Sequence, residues 1–166
     1  MGADGVDWLF REAMAGLCSG VAVVTGVRAD GTPCGLVATS VSSFSSNPPS
    51  VMASIAHAAR SHDPLTQGRS FGVNVLSADQ EHLGRVFSSF GIDKFTGVDW
   101  KLDGGVPRLA GALSFLRCEL SAAFRYYDHT LIVGDVRDGC LGAGDPLVYM
   151  ARSMSWRLGP AHSRAA

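Results

Sequence analysis

The sequence predicts a mainly β protein, an antiparallel β-barrel carrying a few helices. Three observations predict it. At least seven segments have the length and the β-branched or alternating apolar pattern of strands, against two or three of helical period. Hairpin signals such as Asp30-Gly31 separate neighbouring strand segments. There is no G-x-G-x-x-G, no P-loop and no parallel series of strand, helix and strand, so Rossmann-type nucleotide binding is not expected.

Taken in order, residues 1–6 read as a loose tail, and Asp7 as the cap of a helix. That helix carries Leu9, Phe10, Ala13, Met14 and Leu17 at helical spacing. The stretch GLCSG (Gly16–Gly20) matches a nucleophile elbow in letters only. The elbow needs a strand running into a helix, and here a helix runs into a strand. Val21–Arg28 is β-branched and apolar, a buried strand, and Thr32–Val41 returns antiparallel to it. Val51–His57 is the next strand, after Pro48-Pro49. Asp63-Pro64 reads as the cap and first position of a short helix. Phe71–Leu76 is a strand, and Ser77-x-x-Gln80 is a capping box opening a helix of about three turns with Leu83, Val86 and Phe87. Residues 91–111, rich in Gly, Asp and Pro, read as an excursion loop.

The clearest alternation follows. Leu116, Cys118, Leu120, Ala122 and Phe124 are predicted to face one way, and Arg117, Glu119, Ser121 and Arg125 the other. Tyr127-Asp128 turns this strand into His129–Val136, and Leu147–Met150 supplies a last core strand. Residues 159–166 read as a second loose tail, and residues 1–166 as one domain.

The chain is organised around Gly35–Ser50, GLVATSVSSFSSNPPS. It begins as strand and becomes a run of hydroxyls: Thr39, Ser40, Ser42, Ser43, Ser45 and Ser46. Small hydroxyls and unpaired backbone N–H groups suit a neutral, planar ligand rich in acceptors, or a phosphate. The same residues also suit a solvated loop whose hydroxyls bond to their own backbone.

Composition narrows the function classes. A hydrophobic content of 46%, a charged content of 17% and a net charge of −1 are globular values, with the basic residues scattered. Nucleic acid and anionic membranes are not expected partners. No apolar run reaches the ~20 residues that span a bilayer, and the N-terminus lacks a basic leader, so a cytoplasmic protein is expected. Four dispersed cysteines and five histidines show no metal-ligand spacing, so no metal site is expected.

Four motifs in order carry a resemblance. They are G-x-x-A-[ST]-S-x-x-S-x-S-x-[DN]-P-P (Gly35–Pro49), S-I-A (Ser54–Ala56), F-x-V-N-V-L (Phe71–Leu76) and D-H-T (Asp128–Thr130). Together they resemble the flavin reductase component of two-component flavin-dependent monooxygenases, whose fold is the antiparallel FMN-binding split barrel. The resemblance runs from about Phe10 to Leu158. It implies a homodimer that uses NADH to reduce FAD or FMN, with FAD preferred, and hands the reduced flavin to a separate monooxygenase.

The resemblance also implies site residues. Thr39, Ser40 and Val41 would lie along the isoalloxazine edge, Ser54, Ile55 and Ala56 at its pyrimidine end, and Arg60 and Ser61 at the phosphate, where an arginine fork suits the geometry. His129 would serve the nicotinamide as the catalytic residue, with Tyr127 beside it. Lys94 and Phe95 would approach from the excursion loop. Two positions depart from the pattern: Val37 stands where the family usually has Thr, and Tyr127 where it usually has Gly. The first removes a hydroxyl. The second either stacks an aromatic ring on the dinucleotide or merely caps the barrel edge. Two other readings of the same barrel are a non-catalytic flavin carrier or sensor, and an oxidase of the pyridoxamine-phosphate type. The latter would need a basic cluster that the sequence lacks.

Overall fold

The computed structural model describes residues 3–159. Helix α1 (Ala3–Ala15) leads into strands β1 (Ser19–Gly20), β2 (Ala22–Val27), β3 (Pro33–Ala38), β4 (Ser42–Ser46) and β5 (Pro49–Ala56). Helix α2 (His62–Gln67), strand β6 (Ser70–Val75), a turn of 3-10 helix (Ala78–Gln80) and helix α3 (Glu81–Ser88) follow. The second half is β7 (Trp100–Asp103), β8 (Val106–Leu109), β9 (Ser114–Tyr126), β10 (His129–Leu141), β11 (Val148–Met150) and β12 (Ser153–Trp156). The protein is mainly β, as its patterning predicts.

Seven strands form one antiparallel sheet in the order β3-β2-β6-β9-β10-β5-β4. β3 and β4 are its two edges, yet they are consecutive in the chain, joined only by Thr39, Ser40 and Val41. Four Cα steps reach about 14 Å at most. The sheet therefore rolls until its edges face each other across a seam. Strand pairing does not join β3 to β4. At the seam Ser40 Oγ accepts the Ser54 N–H at 3.1 Å and donates to the Ser54 carbonyl at 3.3 Å, bonding the β3–β4 link to β5.

Inside the roll lie Ala22, Val24, Ala53, Ile55, Phe71 and Ile132. On the opposite side, Val23 of β2 and Val21 just before it pack against Leu76, Leu83, Phe87 and Leu147 beneath α3. Covered on both faces, β2 has no polar alternation to show in its sequence. Gly134 on β10 is a close approach: a Cβ there would sit 2.4 Å from Cζ of the fully buried Phe71.

The capping box forms, with Gln80 Oε1 accepting the Ser77 N–H at 3.2 Å. Asn74, fully buried in the motif F-x-V-N-V-L, explains why an amide sits in a core strand. Its Oδ1 accepts the Leu109 N–H at 2.8 Å, and its Nδ2 donates to Thr25 Oγ1 at 3.2 Å. Thr25 Oγ1 donates in turn to the Pro107 carbonyl at 2.6 Å. This network fastens β8 to the main sheet.

Several expectations are corrected. The excursion loop of 91–111 contains a hairpin, β7–β8, because Asp103-Gly104-Gly105 makes a tight turn with both glycines at positive φ (56° and 88°). The tail of residues 1–6 is helix from Ala3 onward, with Asp7 inside α1, and Met1 and Gly2 lie outside the described residues. In the other tail, residues 160–166 lie outside them too. Asp63 is not a cap: α2 starts at His62, and Asp63 sits in the first turn, where a carboxylate complements the helix dipole. Phe124 does not share the face of Leu120. Val133 and Gly134 pair with Ala122 and Leu120, so Ser121 is an extra residue whose bulge reverses the alternation beyond it. Leu147 and Val148 are core residues, but β11 belongs to a separate three-stranded sheet with β1 and β12. The apolar stripe of α1 is uncovered, with Leu9, Phe10, Met14 and Leu17 all exposed.

Candidate functional site

A cavity of about 1130 Å³ opens along the seam. Gly35, Val37, Thr39 and Ser40 line it from β3 and the link, Ser54 and Ala56 from β5, and His129 from the start of β10. Arg60 and Ser61 come from the turn before α2, and the segment from Phe87 to Thr96 forms the facing wall. Seven residues singled out in the sequence therefore meet here: Thr39, Ser40, Ser54, Ala56, Arg60, Ser61 and His129. Lys94 and Phe95 join them.

Three do not line this cavity. Ile55 is fully buried in the core, and Val41 packs against the same core from the seam. Tyr127 lines a smaller adjoining cleft with Ser54, Phe124, Tyr126 and His129. Its backbone takes φ 44°, the left-handed conformation that glycine adopts without steric cost. Its ring is 84% exposed and meets Tyr126 edge to face at 4.4 Å.

The floor is uncharged. The hydroxyl of Ser40 and the backbone of Ser54 are mutually engaged, and Ser61 Oγ donates to the Gly35 carbonyl at 3.1 Å. One corner is cationic. Lys94 Nζ donates to the Phe87 carbonyl at 2.7 Å, tying the 89–94 loop to the end of α3. Burial, and then the charge of Arg60, hold the Lys94 ammonium below its ordinary pKa. Among the described residues no hydrogen bond or ion pair holds the exposed Arg60 guanidinium. Its fork remains available to an anion.

The far wall is made of self-capped turns. Asp93 accepts the Phe95 N–H at 3.0 Å and the Thr96 hydroxyl at 2.7 Å, and both bonds lower its pKa. Phe95 packs edge to face on Phe87 at 5.2 Å and on Trp100 at 5.3 Å. At the start of β10, His129 Nδ1 bonds Asp128 Oδ1 at 2.9 Å. That bond, above all, holds the Asp128 carboxyl below the usual carboxylate range. A carboxylate only accepts, so Nδ1 carries the proton, which leaves Nε2 of the half-exposed ring as an acceptor.

Sequence reasoning missed the segment Ser88–Asp93, including the 85% exposed Phe90, and also Arg28 and Trp100. The signal was present: S-S-F-G after an amphipathic helix repeats the small, hydroxylic character of the seam.

A family model described as flavin reductase like domain matches residues 14–156. This chain belongs to that family. It is 38% identical over 141 residues to an FMN reductase (NADH), SmoA, of Agrobacterium fabrum, covering 84% of this chain and 80% of that protein. It is 33% identical over 140 residues to the reductase component of a 4-nitrophenol 4-monooxygenase/4-nitrocatechol 2-monooxygenase of Rhodococcus opacus, covering 84% of this chain and 75% of the relative. Among solved structures, the Streptomyces globisporus NADH:FAD oxidoreductase SgcE6, in complex with NAD and FAD fragments, superposes with a TM-score of 0.88. That match is 30% identical and covers 97% of this chain and 98% of the other.

A flavin fits the residues present. The cavity is large, its floor offers hydroxyl and backbone groups without charge, and a free arginine stands at one corner. Val37 lies on this wall and brings no hydroxyl to the cavity.

Proposed function

We propose that this protein is an NADH-dependent flavin reductase that reduces FAD or FMN and releases the product to a partner monooxygenase. The observation that carries this reading is the seam cavity, whose lining brings Arg60, Lys94 and His129 together with the hydroxyl and backbone groups of Thr39, Ser40 and Ser54. A bound flavin would supply a hydride acceptor for the nicotinamide, so the protein need supply no strong acid or base.

The chain's own residues orient and shield. Thr39 and Ser40 face the isoalloxazine edge, with Val41 packed behind them, and Ser40 exchanges its bond to Ser54 for one to the ligand. Ser54 and Ala56 border the pyrimidine end, with Ile55 behind them in the core. Arg60 and Ser61 hold the phosphate, Ser61 through its backbone, because its hydroxyl proton is committed to Gly35. His129, held by Asp128, presents Nε2 to the carboxamide. Phe87, Phe95 and Trp100 keep water from the far wall.

The rolled sheet with its unpaired seam supports the split-barrel reading, closed by the second copy of a homodimer. The uncovered stripe of α1 and the exposed aromatics Phe124 and Tyr126 support that dimer. A non-catalytic flavin carrier would need no group like His129 beside the seam.

His129→Ala tests the assignment of the nicotinamide side. It is expected to lower kcat/KM for NADH about tenfold, the effect of one well-placed hydrogen bond, with the flavin dissociation constant within about twofold of wild type. Unchanged NADH kinetics would return the residue to the status of a turn histidine. Tyr127 walls the adjoining cleft, where its ring face is open to the dinucleotide. Tyr127→Gly is therefore expected to raise the KM for NADH roughly 2–12-fold and to reduce the preference for NADH over NADPH. A kcat/KM ratio unaltered between the two nucleotides would show that the ring only caps the sheet edge.

A further inference from the structure

Behind the cavity wall lies a polar cluster that the reaction as described does not use. Thr130 Oγ1, almost fully buried, is 3.1 Å from His57 Nε2 and 2.9 Å from His62 Nε2. The two imidazoles meet edge to face at 5.0 Å, and His62 Nδ1 is 2.8 Å from Asp63 Oδ1.

With both rings neutral, the proton positions follow from the acceptors. The Asp63 carboxylate accepts, so His62 carries its proton on Nδ1 and turns a lone pair on Nε2 towards Thr130. The threonine hydroxyl donates to that lone pair. Its own oxygen then accepts from His57, which carries its proton on Nε2. The chain runs one way, from His57 through Thr130 and His62 to Asp63.

What the chain connects gives it meaning. His62 opens α2 directly after Arg60 and Ser61, and its N–H bonds the Ala59 carbonyl at 2.9 Å. Thr130 follows His129 on β10, and His57 directly follows β5, with its N–H on the Asp128 carbonyl at 2.8 Å. One buried hydroxyl thus ties the turn bearing Arg60 to the turn bearing His129.

We propose that Thr130, with His57 and His62, is a positioning residue that fixes the phosphate corner and the nicotinamide corner of the cavity relative to each other. The proposal rests on the roles given above to Arg60 and His129. None of the three side chains need touch flavin or nucleotide. They act by setting the distance between two turns that otherwise belong to different strands, so that each corner stands where its ligand group binds.

Thr130→Val keeps the shape and removes the hydroxyl, and Thr130→Ser restores it. Flavin affinity, read by flavin fluorescence without turnover, is expected to weaken about tenfold in Thr130→Val. The KM for NADH is expected to rise together with it, while kcat stays within about twofold. Thr130→Ser should lie within about twofold of wild type in all three. In 15N-labelled wild-type protein, imidazole spectra at a pH where both rings are neutral should show His62 protonated on Nδ1 and His57 on Nε2. This last readout needs neither ligand nor variant. The opposite tautomers would overturn the relay. So would Thr130→Val binding both ligands as wild type does, or losing only one of them. Wild-type protein that binds no flavin at all would sink the functional reading and this proposal together. Wild-type binding that Thr130→Val leaves unchanged sinks the proposal alone.

Discussion

Phe71→Ala is expected to destabilise the protein by about 3–5 kcal/mol, lowering the melting temperature by roughly 6–20 °C. Phe71 is fully buried at the centre of the rolled sheet, with its ring over Gly134. The glycine supplies the space: a Cβ there would approach Cζ and Cε1 of the ring to 2.4 and 2.5 Å, and Cys118 Cβ to 2.9 Å. Truncating the ring leaves a cavity walled by strands that are paired on both sides and cannot collapse into it. Gly134→Ala should also destabilise, by about 1–3 kcal/mol through overpacking. Combined with Phe71→Ala it should cost less than the sum, because the added methyl enters the emptied volume. Urea or thermal unfolding measures all three. A loss below about 1 kcal/mol for Phe71→Ala, or strict additivity in the double variant, would contradict this packing.

The second large effect is on ligand binding. Neutral hydrogen bonds contribute about 1 kcal/mol net each, so the hydroxyl floor alone supports micromolar flavin affinity and a product that leaves. The Arg60 guanidinium adds a charge-assisted contact of about 1.5 kcal/mol in so exposed a position. Arg60→Ala should therefore weaken FMN and FAD binding about tenfold. Riboflavin, which has no phosphate, is the control. It should bind wild type about as weakly as FMN binds the variant, and Arg60→Ala should not affect it. If riboflavin and FMN lose affinity equally in Arg60→Ala, the arginine acts on the fold of its turn and not on the phosphate.

Local signals carried most of the fold. The β-branched run of β2, the Asp30-Gly31 turn and the capping box at Ser77 each specify their element within a few residues. The site was legible wherever its residues cluster in sequence, as at Thr39-Ser40 and Arg60-Ser61. Illegible features depend on distant partners. The bulge at Ser121 exists only in the register between β9 and β10, and it turns Phe124 to the other face. The hairpin of β7 and β8 was hidden because its anchor is Asn74, more than twenty residues away. The helical spacing of Leu9, Phe10 and Met14 forecast an amphipathic helix correctly, but no pattern within α1 says what would cover that stripe. The pairing of His57 with His62 through Thr130 joins three strand and helix ends, and no spacing in the sequence reports it.

NADH oxidation by the purified protein, followed without flavin and then with FMN or FAD, tests the central claim most directly. Turnover that appears only when flavin is added, saturates with it and yields reduced flavin under anaerobic conditions is the expected result. Flavin binding with no NADH oxidation above background, with either FMN or FAD, would contradict it and leave a carrier in place of a reductase.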